Sequence, residues 1–155
     1  MSVKQPVLPI LALAFLAACG PSAEEQQAAR DEGIRFARAD STAQAEVLYD
    51  PAGFDTITWA SPDSALSRGT TVFLYSCRRC HGSTGLGDGD LAQEHGIVMP
   101  DVTAAGWQFA GDLEGIRHRV FVGHESEMPN WGLHGLPYRD VDAVARYILT
   151  RLRGE

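Results

Sequence analysis

Residues 75–82 read YSCRRCHG: two thiols, Cys77 and Cys80, three positions apart, with the imidazole of His81 directly after the second. What these side chains hold decides the fold, because the chain must deliver all three to one place. A structural zinc site needs four ligands and normally adds a second Cys pair or two closely spaced histidines. Cys19 is the only other cysteine, and His118, His124 and His134 are not spaced as in a zinc finger. A redox dithiol opens a helix after a strand. Here Leu66, Gly69, Phe73 and Cys77 fall on one helical face, so the pair closes a helix instead. Both readings fit badly.

Covalent haem attachment needs what is present. Two thiols add to the two vinyl groups of the porphyrin as thioethers, and the adjoining imidazole is carried under the iron as the proximal ligand. The expected cofactor is one haem c, bound through Cys77 and Cys80 with His81 on the iron. For the sixth position the chain offers Met99, Met128, His95, His118, His124 and His134. Met128 stands in GHESEMPNWG (residues 123–132), where Pro129 cannot continue a helix and an extended loop is free to pass over the distal face. Met99 lies soon after His81, in the segment that must wrap the haem edge. Met128 is therefore favoured, with His124 the histidine close enough to compete.

The surrounding pattern is helical throughout. Ser61-Pro62 is a start signal for the helix that carries the thiols. Asp112 is placed to cap a second, in which Leu113, Ile116 and Val120 line up before Gly123 stops it. In the last, Val141, Val144, Ala145, Ile148 and Leu152 keep helical spacing, with Asp140 and Asp142 near its start and Arg151 and Arg153 near its end, matching the macrodipole. No strand alternation of any length appears. The fold is expected to be all-α.

The ends define the organisation. Lys4 precedes an apolar run, VLPILALAFLAA (residues 7–18), of signal-peptide length and short for a membrane span. It leads into Leu16-Ala17-Ala18-Cys19-Gly20, which resembles a bacterial lipoprotein signal, so residues 1–18 are expected to be removed and Cys19 acylated. Residues 19–60 then form a lipid-anchored tether and 61–155 the folded domain. Within the tether, residues 22–39 suit a short solvated helix, with a capping box from Ser22 and Glu25, or a polar linker. Residues 46–59 carry Leu48, Tyr49, Phe54, Ile57 and Trp59, too apolar for a free linker, and are expected to lie against the domain.

These residues together resemble a class I, monohaem bacterial cytochrome c over about residues 61–153: Gly69 and Phe73, Cys77 to Gly82, the Gly85-Leu86-Gly87-Asp88-Gly89 loop, Pro100 to Thr103, Met128 to Trp131, and Tyr147-Ile148. The resemblance implies that Gly69 and Phe73 cross the last helix near Tyr147, around one covalently bound haem. It also implies Trp107 as a partner of a haem propionate. In many relatives the Gly-rich loop ends in Gly-Asp-Gly-Pro, and a carbonyl there accepts the Nδ1 proton of the proximal His; here Asp90 stands at the Pro position. The glycines of this loop are expected to let backbone approach the porphyrin closely.

Export, a tether and a His/Met iron with both axial positions filled suit single-electron transfer rather than catalysis. The expected partners are redox proteins at a membrane facing the periplasm or cell exterior, reached through acylated Cys19. The alternatives are a cytochrome subunit of a larger oxidoreductase complex, and a haem enzyme or gas sensor with a displaceable sixth ligand. Without residues 1–18 the chain has no lysine, and its 12 arginines face 20 acidic residues, a charge of −8. Such a surface does not attract nucleic acid or anionic lipid.

Overall fold

The computed structural model describes residues 20–126 and 128–155, so the leader and Cys19, with its expected acylation, lie outside the described residues. The described residues form helices and loops, with no strand among them. The first helix, α1 (Ala23–Leu48), opens on the capping box of Ser22 and Glu25, each side chain accepting from the other's backbone N–H. It runs well past residue 39 because tertiary contacts hold its far end. Ala45 is fully buried, and Glu46 Oε1 lies 2.9 Å from His118 Nε2. Its first part, up to residue 37, is exposed on every side.

A strap follows, with a 3₁₀ turn at Pro51–Phe54. Phe54 is buried against the Tyr138 ring, 4.9 Å away and near perpendicular, and beneath the Arg117 guanidinium. Trp59 Nε1 donates to Asp142 Oδ2 at 2.6 Å, while Arg139 lies over the Trp59 ring. The apolar residues of 46–59 that do not face solvent thus pack on the chain's own core.

Helix α2 (Pro62–Val72) starts at Ser61, with Pro62 in its first turn. It passes through a π-helical turn, Phe73–Cys77, into the short α3 (Arg78–His81), which Gly82 ends. A further short helix, α4 (Asp90–Glu94), closes the Gly-rich loop. Helix α5 (Leu113–Val122) is capped by Asp112, which accepts from Gly115 N at 2.8 Å, and stops at Gly123 with φ 79°. The last helix, α6 (Tyr138–Tyr147), continues as a second π-helical segment, Ile148–Arg153.

The core lies where α2 crosses α6, with α5 packed alongside. The crossing point is Gly69: a Cβ there would overlap the carbonyl oxygen of Ala143 and approach Tyr147 Cβ to 2.7 Å. Next to it the Phe73 and Tyr147 rings stack at 5.3 Å. Gly69, Phe73 and Tyr147 meet as the resemblance implied.

Asp140 and Asp142 do more than face the helix dipole. Both are buried. Asp140 takes both forks of Arg68, at 2.7 and 2.6 Å. Asp142 accepts from Trp59, Arg146 and Arg117, joining the strap, α5 and α6 at one carboxylate. Burial alone would push this carboxyl up, but Arg146, Arg117 and Trp59 outweigh it and hold the group below the usual carboxylate range.

Candidate cofactor site

Beside the crossing is a cavity of about 1000 Å³, at the upper end of the roughly 300–1,000 Å³ range of cofactor pockets. Its walls come from segments far apart in sequence. Phe73 and Cys77 enter from the π turn and His81 from α3; Ile116, Arg119 and Val120 from α5; Ile148 from the π-helical segment that continues α6. The loops supply residues 95–102, Trp107, Phe109, His124 and Met128. Cys80 is half-buried one position before His81.

Local structure explains how the motif arrives. The π turn delivers Cys77 to the cavity, and Gly82, with φ 76°, turns the chain back after His81. The return is tight: Gly87 N donates to the His81 carbonyl at 2.9 Å and Gly89 N to that of Cys80 at 3.2 Å. The close approach that these glycines allow is to the protein's own backbone. At Gly87, with φ 81°, a Cβ would lie 2.6 Å from Met99 O; at Gly89 it would overlap Arg79 O.

Both motif groups in the cavity are perturbed by burial. It pushes the Cys77 thiol up to about 12, with Cys80 adding to the effect. A thiol raised in this way by burial is poorly suited to act as a redox nucleophile. Burial also pulls the His81 imidazole below its ordinary value. Its Nδ1 is buried with no hydrogen-bond partner, so the bond to a carbonyl near Asp90 is not formed. Where relatives have Pro, Asp90 opens α4, and the neighbouring carbonyls of Gly89 and Asp88 accept from Gln93, through its backbone N and its side chain.

The sixth-ligand candidates separate. Met128, Met99, His95 and His124 all line the cavity. His118 instead pairs with Glu46, and His134 lies near the Trp131 ring, 6.3 Å away, outside the cavity wall. Trp107 lines the cavity with Arg153 stacked at 5.4 Å. Arg119 was not legible from helical spacing alone. It brings a cation to the wall, held over the Phe109 ring and donating to Gly123 O at 3.3 Å.

An apolar cavity of this volume, with the Cys77 thiol and the His81 imidazole on one wall, Cys80 adjoining them in sequence, a thioether brought in by the loop after α5 and one guanidinium, fits a haem and its carboxylates. Residues 64–148 match the family described as cytochrome C oxidase, cbb3-type, subunit III. The chain belongs to this family. It is a c-type cytochrome with an all-α cytochrome c fold. Over 87 residues it is 34% identical to the Cbb3-type cytochrome c oxidase subunit CcoP of Cereibacter sphaeroides, a match taking in 56% of this chain and 28% of that protein. The chain thus spans well under a third of that relative's length. No solved structure matches it. Among the described residues no helix is long and apolar enough to cross a membrane.

Proposed function

We propose that this cytochrome is a membrane-tethered electron carrier with one haem c, bound as thioethers through Cys77 and Cys80, with His81 and Met128 on the iron. The observation that carries this reading is the single cavity in which Cys77, His81 and Met128 meet although 51 positions separate the first from the last. The bound haem supplies a one-electron Fe(III)/Fe(II) couple. Phe73, Ile116, Val120 and Ile148 exclude water from its faces. Arg119 is the cation available to its carboxylates. With imidazole and thioether both supplied by the chain, no coordination site stays open for oxygen or peroxide, and the thioether favours Fe(II).

The tether is the second part of the proposal. Cleavage before Cys19 and its acylation would hold the domain at a membrane outside the cytoplasm, where redox proteins are the partners. The family favours the version in which the carrier serves an oxidase complex. Co-purification of the tagged full chain with haem–copper oxidase subunits from detergent-solubilised membranes tests that version; recovery of the cytochrome alone argues for a free carrier.

The axial assignment has its own test. Ferric wild type is expected to show the weak red-end charge-transfer band of sulfur–iron ligation. Met128→Ala should lose the band, fall in reduction potential and admit carbon monoxide to the ferrous iron, whereas Met99→Ala keeps the band. The reverse result makes Met99 the ligand. A wild type without the band, binding carbon monoxide readily, favours an open-site enzyme or sensor.

A further inference from the structure

The family match begins at residue 64, so α1 lies wholly outside it. Yet α1 reaches the distal loop. Its last turns sit on α5, through buried Ala45, the Glu46–His118 contact and the edge of the Tyr49 ring on His118, 4.8 Å between centroids. Earlier in the helix, where it has just met the domain, Arg38 Nη1 donates to the carbonyl oxygen of Ser126. Ser126 belongs to the loop that carries Met128 into the cavity. Within that loop, His124 N donates to Met128 O at 3.0 Å, and Ser126 Oγ lies 2.7 Å from His124 Nδ1.

Among the described residues the loop has two kinds of hold. One is internal, the turn closed by His124 and Met128 after Gly123. The other comes from 88 positions away in sequence. A guanidinium donor makes a stronger hydrogen bond than a neutral one, and it is mounted on a helix that is itself fixed at α5. Removing it frees the loop at Ser126, itself on the cavity wall, while no cavity-lining side chain is substituted.

We propose that Arg38 is a positioning residue for the distal ligand: α1 braces the loop, and the bond from Arg38 to Ser126 keeps Met128 at the iron. This rests on the reading of Met128 as ligand. A regular tether would only hold the domain near a membrane. This one also couples the seating of α1 to the closure of the haem site.

The test uses the haem-loaded full chain and the variants Arg38→Ala, Arg38→Lys and Arg30→Ala, the last being an exposed cation on the same helix. Hydrogen exchange at the His124 amide reports loop closure directly. The rate at which added imidazole displaces the ferric sulfur–iron band reports how often the thioether leaves. Arg38→Ala is expected to speed both by about tenfold or more, Arg38→Lys to recover part of the loss, and Arg30→Ala to change neither. Unchanged His124 exchange in Arg38→Ala, or an equal effect from Arg30→Ala, overturns the proposal. An absent band in wild type overturns the Met128 assignment alone, since His124 exchange still judges the hold of Arg38 on the loop.

Discussion

The crossing of α2 on α6 and the cavity beside it share Phe73 and Ile148, yet the chain completes only one of them. At the crossing every group has its partner. Gly69 lets two backbones touch, aromatic rings fill the flank, and the buried carboxylates of Asp140 and Asp142 are met by guanidinium and indole donors. At the cavity a thiol is pushed up to about 12 and an imidazole nitrogen is buried without a partner. A buried unpartnered nitrogen of this kind costs roughly 1–3 kcal/mol, and a domain has only about 5–15 kcal/mol in hand. The lesson is that the fold is divided between what the sequence packs for itself and what it leaves to a prosthetic group.

The sharpest way to break this contrast is to withhold the cofactor. The double variant Cys77→Ala/Cys80→Ala should keep much of its far-UV helical signal, lose near-UV ellipticity and melt without a cooperative transition. A sharp melt with intact near-UV signal would mean that the cavity side is self-sufficient, and the contrast would dissolve.

A smaller effect sharpens the other half. Asp142→Ala should cost up to about 3–5 kcal/mol in urea unfolding of the haem-loaded protein, since it removes the carboxylate shared by Trp59, Arg117 and Arg146 and leaves the buried Arg117 guanidinium to Glu114 alone. The folded carboxyl is held low, so its contribution is present above the unfolded value of about 3.9 and disappears as pH falls through the folded one. The gap between wild type and variant should therefore be constant from pH 7 to 5 and narrow progressively as pH falls below about 4. A gap that does not narrow as the pH is lowered would assign the effect to packing.

Gly69→Ala should cost about 1–3 kcal/mol or more, because a methyl there meets the Ala143 carbonyl and Tyr147 Cβ, and α2 and α6 must move apart to admit it. The same separation should reach Phe73 and so the cavity, visible as a small Soret shift. An unchanged melting temperature would show that the crossing is looser than its geometry.

Much of this division was legible in the sequence. Ser61-Pro62, Asp112 with Gly123, and the apolar spacing of α6 mark elements that the structure has where they were expected, because each signal is local. The motif at Cys77, Cys80 and His81 is equally local. What was not legible depends on distant partners. Helix α1 runs on to Leu48 because α5 holds its end, and residues 40–45 carry no apolar stripe of their own. Asp142 looks like a dipole partner until Trp59 and Arg117 are placed around it. That His81 Nδ1 has no partner, while the carbonyls of Gly89 and Asp88 accept from Gln93, also depends on the folded path of the loop. Spacing also could not reveal that Met99, His95 and His124 share one cavity with Met128.

The π turn at Phe73–Cys77 has a consequence for how the chain tolerates change. An i→i+5 turn takes up one residue more than an α turn, so it resets the angular phase of everything after it by about 100°. Upstream, that phase is dictated by the fit of Gly69 against Ala143; downstream, by the direction in which the thiols and imidazole must face. Loss of one residue within 73–77 would turn the segment into ordinary helix and still leave Cys77 and His81 aimed at the cavity, whereas loss of one residue between Cys80 and Gly82, or within α2, would not. Length variation among relatives should accordingly collect in this single turn.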